Sequence, residues 1–336
     1  MLTRRSLLNA AAALAVTASV GLAAGSADAQ TKKIRLQLAW LPNASSAGEI
    51  VALKNGYFAE KGLEVEILPG GPGASPVQET LAGVADIGIA YAPQVMHAAN
   101  QGLPIKSFAA SYQKAPLTFY SLGEKNITSV KDWKGKVVGT GPDARAQVMA
   151  VLDHHGMTLA DITHVQAQPP APLLQGQVDV IASWPTNVTQ MEPITTHPGG
   201  YNTQSIWDNG LEFQSNYYVA RTSVIEDDTD TLVRFLEAVD KGWNFTAENP
   251  EEAVEIVRSL APALDGPQEV ASLKVVFDGD YIYSEDTRTH GFGNIDADRW
   301  QRTLDTYARI GEIKDGLTAA DVFDDRVLKA AQRTKR

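Results

Sequence analysis

Short apolar runs alternate with stretches of helical spacing along most of the chain. The apolar runs predict strands at 34–39, 63–68, 87–90, 137–138, 162–165 and 178–182. The stretches of helical spacing predict helices at 48–58, 76–82, 92–101 and about 143–154. Alternation of strand and helix is typical of α/β proteins. The pattern therefore predicts parallel, doubly wound sheets.

The last third of the chain has a mostly helical pattern that begins near Asp228. The apolar positions spaced for one buried helix face are Leu232, Phe235, Leu236 and Val239. Asn249-Pro250 opens another helix, and further helices are predicted at 296–310 and 321–333. We interpret these helices as packing elements.

The composition is that of a globular chain, with 44% hydrophobic and 21% charged residues among 336. At roughly 100–200 residues per domain, this length suggests two lobes. Lys and Arg number 29 against 40 Asp and Glu, a net charge of −11, and the basic residues form no cluster. A nucleic-acid partner is therefore not expected. The chain has no cysteine, which excludes disulfides, thiolate metal sites and cysteine nucleophiles.

The first 29 residues have the three parts of a secretory signal. Arg4-Arg5 precedes an alanine-rich run that carries no charged side chain up to Ala27, and the leader ends in Ala27-Asp28-Ala29. The paired arginines resemble a twin-arginine export motif, and an N-terminal anchoring helix is the alternative. We expect cleavage after Ala29, which leaves a free periplasmic protein.

Recognisable catalytic motifs are missing from the sequence: it contains no H-E-x-x-H, G-x-S-x-G or P-loop pattern. Asp153-His154-His155 lacks companion acidic motifs, so we expect no metal site and no cofactor. Asp86 and Asp179 each follow a glycine by three positions, and we interpret both as solvated or capping residues at turns. With no nucleophile, base or metal identified, the protein is not expected to be an enzyme.

Several segments, taken in order, resemble one family of transport proteins. They are Trp40-Leu41-Pro42-Asn43, Val51-Ala52-Leu53-Lys54-Asn55-Gly56-Tyr57-Phe58, Gly83-Val84-Ala85-Asp86-Ile87-Gly88, Asp132-Trp133-Lys134-Gly135 and Asn249-Pro250-Glu251-Glu252. The chain is similar to periplasmic solute-binding proteins of ATP-binding-cassette importers, in the SsuA/THI5-like branch that handles nitrate, sulfonates, thiamine pyrimidines and riboflavin. The ordered set covers most of the mature chain.

The resemblance implies a type II periplasmic binding protein fold, in which two α/β lobes are joined by a two-segment hinge. By that analogy the first lobe spans 31–120, the second lobe spans 121–217, and 218–336 returns to the first lobe and adds the C-terminal helices. Ser121 and Tyr218 are the candidate hinge residues. The resemblance also implies a monomer that delivers its ligand to permease and ATPase subunits at the inner membrane.

Ligands of open α/β sheets bind at the carboxyl ends of strands. Aromatic residues follow three predicted strands, at Trp40, Tyr91 and Trp184. Side chains that can hydrogen-bond a ring edge, or that lie near the expected cleft, are Asn43, Gln94, Tyr112, Thr140, Asp143, Asn187 and Tyr217. Asp143 also fits a helix N-cap, and Glu49 is a weaker candidate. Any of the aromatics could instead pack in a core.

The Trp-Leu-Pro-Asn segment is most similar to the subgroup for aromatic heterocycles, such as thiamine pyrimidine precursors and riboflavin. Ser45-Ser46 stand where those relatives often carry a histidine. A binder of aliphatic sulfonate, taurine or nitrate is the alternative. A pyrimidine synthase on the same fold is a further alternative, although its histidine and cysteine-rich motif are missing from this sequence.

Overall fold

In the residues that the structure describes, the strands form two sheets of five. The computed structural model describes residues 31–71, 73–141 and 144–336, so the predicted leader at 1–29 lies outside the described residues. The strands are β1 (Lys32–Gln37), β2 (Leu63–Leu68), β3 (Ile87–Ala90), β4 (Ile105–Tyr112), β5 (Thr118–Leu122), β6 (Val137–Thr140), β7 (Thr163–Gln166), β8 (Val180–Ser183), β9 (Tyr201–Ser205) and β10 (Ser215–Arg221).

Helices cover the faces of both sheets and make up most of the C-terminal third. They are α1 (Ala47–Lys54), α2 (Tyr57–Glu60), α3 (Pro76–Leu81), α4 (Ala92–Asn100), α5 (Arg145–His154), α6 (Ala171–Leu174), α7 (Val188–Thr195), α8 (Thr222–Asp227), α9 (Thr229–Glu248), α10 (Pro250–Arg258), α11 (Gly266–Asp278), α12 (Glu285–His290), α13 (Ala297–Arg309), α14 (Ala319–Val322) and α15 (Arg326–Ala330). No helix among the described residues is long and apolar enough to cross a bilayer.

Two predicted helices are each divided in the structure. The helix predicted at 48–58 ends at Lys54, and α2 begins only after Gly56, whose φ of 77° is unfavourable for residues with a side chain. The helix predicted at 321–333 is replaced by the short helices α14 and α15.

Each sheet mixes parallel and antiparallel strands, which corrects the prediction of purely parallel sheets. The first sheet has the order β2-β1-β3-β10-β4, and the second has the order β7-β6-β8-β5-β9. In the first sheet, β10 is antiparallel to both β3 and β4. In the second sheet, β5 is antiparallel to both β8 and β9. The two-lobe α/β architecture predicted from the sequence is confirmed.

The chain passes between the sheets twice, at 113–117 and at 206–214. The predicted lobe boundaries at 120/121 and 217/218 therefore fall inside β5 and β10. The two connections are joined by buried amides, since Gln214 Nε2 donates to Gln113 Oε1 at 2.9 Å. Gln113 Nε2 also donates to the carbonyl oxygen of Ala110 at 2.9 Å. The first of these hydrogen bonds holds the two connections side by side, and the second fixes the Gln113 side chain against the end of β4.

Asp86 and Asp179 have the same structural role in the two sheets. Asp86 accepts the backbone N–H of Arg35 at 2.9 Å, and Asp179 accepts the backbone N–H of Val137 at 3.0 Å. Each carboxylate also pairs with a cation, Arg35 or Lys125. In each sheet, the aspartate three positions after a glycine thus joins the start of one strand, β3 or β8, to its parallel neighbour, β1 or β6.

The first lobe depends on a close approach of α1 to α9. A Cβ atom added at Gly242 would overlap the carbonyl oxygen of Gly48, and one added at Gly48 would overlap the indole of Trp243. Only glycine therefore allows the two helices to pack at this separation. The approach brings Glu49, the next residue of α1, into the interior of the lobe, where it is buried.

Gly242→Ala is expected to destabilise the protein by about 2 kcal/mol, because the added methyl group meets backbone that can move only with its helix. Helix propensity alone would have the opposite effect, a gain of about 1 kcal/mol. The sign of the change in unfolding free energy, measured by urea denaturation, therefore shows whether the steric overlap or the helix propensity has the larger effect. A gain in stability would contradict the close helix contact.

Candidate functional site

The two sheets meet through aromatic residues that follow their strands. Tyr91 comes directly after β3 in the first sheet, and Trp184 comes directly after β8 in the second. Their ring centroids are 5.4 Å apart, at an interplanar angle of 74°. Because both residues lie at carboxyl ends of strands, this contact places those edges of the two sheets against each other, and in open α/β sheets ligands bind at such edges.

Ion pairs also join the lobes, between α5 of the second lobe and the region of α13. Arg309 Nε donates to Asp153 Oδ2 at 2.8 Å, and Arg145 Nη1 lies 3.3 Å from Glu312 Oε1. Both arginines are exposed, so each pair contributes little to stability. Helix α7 contacts α11 at another point between the lobes. The lobes are therefore closed on each other.

Trp40 and Asn43 lie in the loop that follows β1, and Gln94 lies in the first turn of α4, which follows β3. Trp40 is 46% exposed. The Asn43 side chain accepts the backbone N–H of Ser45 at 2.9 Å and caps the short turn Ala44–Ser46. Gln94 Oε1 accepts the backbone N–H of Tyr91 at 2.9 Å, which fixes the start of α4. Trp40 is thus the most accessible of the three side chains, and the two amides have structural bonds.

Tyr112 ends β4, just before the first connection between the sheets. Its ring stacks on Tyr281, with centroids 6.0 Å apart, and its hydroxyl group is buried without a hydrogen-bond partner. Burial is the main cause that raises the pKa of Tyr112 well above its usual value. A buried hydroxyl group without a partner is costly, so the packing of the Tyr112 ring must offset that cost.

The remaining predicted residues have different surroundings. Thr140 is buried, and its hydroxyl group lies 2.9 Å from His164 Nε2. Asn187 is exposed at the start of α7, and Asp143 lies outside the described residues. Tyr217 is buried against Trp300 of α13, with ring centroids 4.8 Å apart. Because Tyr217 belongs to the packing between the first sheet and α13, we omit it from the site.

Glu49 belongs to α1 and is 0% exposed. Its side chain lies against Tyr218 of β10 and close to Trp243 of α9. The Tyr218 hydroxyl group donates to Glu49 Oε1 in a short hydrogen bond. Burial raises the pKa of Glu49 to about 7, against the lowering effect of Tyr218, of its own backbone N–H and of the nearby Trp243 indole. Among the described residues, neither the Trp243 indole N–H nor Glu49 Oε2 has a hydrogen-bond partner. The hydrogen bonds to Glu49 therefore do not offset the cost of burying its ionised carboxylate.

The sequence analysis did not single out Tyr281, which stacks on Tyr112, or Glu269. Glu269 lies in the first turn of α11 and accepts the backbone N–H of Ala44 at 2.7 Å. Burial raises the pKa of Glu269, against the effect of that hydrogen bond. In the sequence, a glutamate in a first helical turn indicates only a favourable interaction with the helix dipole.

A cavity of about 580 Å³ lies along the second lobe, beside α7 and β9. Its lining includes Thr118, Tyr120, Pro185, Val188 and Tyr201, and Val275 is the lining residue from the first lobe. Among the residues that the structure describes, none of the predicted site residues lines this cavity. We place the candidate site at the Tyr91–Trp184 contact instead, because that contact joins strand ends from both sheets.

Two α/β lobes with opposed strand ends define the periplasmic binding protein fold. The periplasmic aliphatic sulphonate binding protein SsuA from Escherichia coli shares it, with a TM-score of 0.68 and 15% identity over 91% of this chain and 96% of that chain. The family model NMT1/THI5 like matches residues 43–253, so the chain belongs to this family. The family predicted from the sequence is confirmed.

The curated relatives include binding proteins and enzymes. The formylaminopyrimidine-binding protein of Halalkalibacterium halodurans is 27% identical over 88% of this chain and 91% of its own. The riboflavin-binding protein RibY of Chloroflexus aurantiacus is 24% identical over 81% of this chain and 79% of its own. Other relatives are named 4-amino-5-hydroxymethyl-2-methylpyrimidine phosphate synthases, with 24% identity for that of Uromyces fabae.

Proposed function

We propose that the protein is the substrate-binding component of an ATP-binding-cassette importer, which captures a small aromatic heterocycle between its lobes. The observation that carries the proposal is the contact of Tyr91 with Trp184 across the lobes. The two rings are in edge-to-face contact, so a flat ligand can reach them only when the lobes open, and on closure it could then contact one aromatic ring from each lobe. A ligand that contacts both rings would favour closure over opening, which is how a hinged binding protein responds to its ligand.

An aminopyrimidine or riboflavin type of ligand has two kinds of support. The first is the aromatic character of the residues at the strand ends, and the second is the names of the two relatives described above. Delivery to a permease and an ATPase, export to the periplasm and a monomeric state are parts of the same proposal. They rest on the family and on the leader pattern at 1–29.

A pyrimidine phosphate synthase is the second candidate, and the relatives of that name favour it. A synthase converts its substrate, whereas a binding protein releases it unchanged. Mass spectrometry of the small molecules that the purified protein forms, and of those that it binds and releases, separates the two. A pyrimidine phosphate formed by the protein supports the synthase, and a heterocycle that is bound and released unchanged, with no such product, supports the binding protein.

The ligand class is tested by a thermal-shift screen with riboflavin, formylaminopyrimidine, taurine and nitrate. We expect one of the two heterocycles to raise the melting temperature and to quench tryptophan fluorescence, because ligand binding to the native state alone stabilises it. Taurine and nitrate should leave both signals unchanged. Stabilisation by taurine or nitrate alone would overturn the assignment to heterocycles.

A further inference from the structure

Helix α5 of the second lobe is anchored to a connection between the sheets at its C-terminal end. Just past that end, His155 Nε2 lies 2.8 Å from Asn209 Oδ1, which belongs to the connection 206–214. The helix begins at Arg145, shortly after the carboxyl end of β6. Its ten residues span about 15 Å. A rotation of the lobe about the connections therefore displaces Arg145 more than it displaces His155.

Two ion pairs join α5 to the first lobe at different distances from this anchor. Near the anchor, Asp153 Oδ2 lies 2.8 Å from Arg309 Nη2 of α13. At the opposite end of α5, Arg145 Nη1 lies 3.3 Å from Glu312 Oε1. Helix α13 belongs to the first lobe because Trp300 packs against β10. Opening of the lobes therefore separates the Arg145–Glu312 pair more than the Asp153–Arg309 pair.

Glu312 is held in place by the first lobe. Its backbone N–H donates to the carbonyl oxygen of Tyr307 at 2.9 Å, and the side chain of Tyr307 is fully buried. The Glu312 side chain itself is 23% exposed. Partial burial reduces the screening of a charge by salt, and the anchored backbone limits how far the carboxylate can follow Arg145 when the lobes part.

This inference rests on the proposed function: we propose that the Arg145–Glu312 pair is a latch between the lobes. The pair forms when the lobes are closed, breaks when they open, and sets the ligand affinity without contacting the ligand. Open and closed states of a hinged protein differ by a small free energy, so one ion pair is enough to shift their populations. The apparent affinity then changes with the fraction of molecules in the binding-competent state.

Charge reversal separates a latch from a ligand contact. Glu312→Arg places two like charges where the ion pair was. The double variant Arg145→Glu with Glu312→Arg restores the attraction with the signs exchanged, so it should restore the affinity. If Arg145 instead contacted the ligand, the exchange would leave binding impaired. Glu255→Arg is the matched control, since Glu255 forms an exposed ion pair with Arg258 inside α10 and joins no lobes.

The affinities are measured by calorimetric titration of the full chain with formylaminopyrimidine at low and high salt. We expect Glu312→Arg to weaken binding about five-fold at low salt, the size of effect that an exposed ion pair allows. The effect should shrink at high salt, because salt screens the charges. The double variant and Glu255→Arg should bind like the unchanged protein. Unchanged binding by Glu312→Arg, or a double variant that binds as weakly as Glu312→Arg, would overturn the latch.

Small-angle X-ray scattering of the ligand-free proteins provides a second readout. We expect Glu312→Arg to have a larger radius of gyration than the unchanged protein at low salt, because like charges favour opening. The double variant should return to the smaller radius. Equal radii for all four proteins would contradict a latch that controls closure. This measurement needs no ligand, so it decides the inference even if the unchanged protein binds no heterocycle, a result that would overturn the proposed ligand class alone.

Discussion

Between pH 4.5 and pH 7, Glu49 alone is expected to remove about 3 kcal/mol from the free energy of unfolding, given its pKa of about 7. The folded state holds the proton of Glu49 more tightly than the unfolded state, because burial disfavours the carboxylate. The stabilising contribution is therefore complete below pH 4.5 and is lost as pH rises through about 7. Glu49→Gln is expected to abolish this loss.

The measurement is urea denaturation of both proteins at pH 5 and pH 8. The glutamine oxygen can still accept the Tyr218 hydroxyl group, so any constant cost of the substitution appears at both pH values. At each pH, the free energy of unfolding of the variant is compared with that of the unchanged protein. The informative quantity is how much this difference changes between pH 5 and pH 8. Glu251→Gln, at an exposed site in α10, controls for the loss of one carboxylate. Parallel pH profiles for all three proteins would contradict the burial of an ionisable Glu49.

Trp184→Ala is expected to weaken formylaminopyrimidine binding about 30-fold, or about 2 kcal/mol, which is typical of a central aromatic contact residue. The substitution removes one of the two rings that we propose to stack on the ligand. It also removes the contact with Tyr91, which contributes only about 0.5–1.5 kcal/mol. The variant should therefore fold, and calorimetric titration measures the loss of affinity.

Trp184→Phe and Trp40→Ala provide the comparison. Phenylalanine keeps a stacking face at position 184, so we expect it to restore most of the affinity. Trp40 is 46% exposed, and its replacement should weaken binding less than that of Trp184. A Trp184→Ala variant that folds and binds like the unchanged protein would show that this ring only packs between the lobes.

Local sequence patterns were sufficient to predict much of the fold. Strands β1, β2, β3, β6, β7 and β8 correspond to the predicted apolar runs, and the family was recognisable from ordered short segments. Tyr91 and Trp184 were identified as candidates because each follows a predicted strand. The structure then brings these two residues together, although 93 positions separate them in the chain.

Other features depend on packing that no local pattern contains. Tyr217 and Tyr218 are neighbours in β10, yet one packs against Trp300 and the other donates to Glu49. Alternation along a strand predicts opposite faces but not which helix covers each face. Glu269 likewise resembles any first-turn glutamate until α11 contacts the turn at Ala44–Ser46.

The sequence by itself determined the α/β class, the family and the aromatic residues at strand ends, because these depend on periodicity and short motifs. Only the tertiary structure decided the antiparallel direction of β5 and β10, the burial of Glu49 and the hydrogen bond of Glu269 with the turn Ala44–Ser46. Each of these results from contacts between distant segments. Such contacts set strand direction, burial and hydrogen bonding through long-range packing, and that packing leaves no periodic signal in the segment concerned.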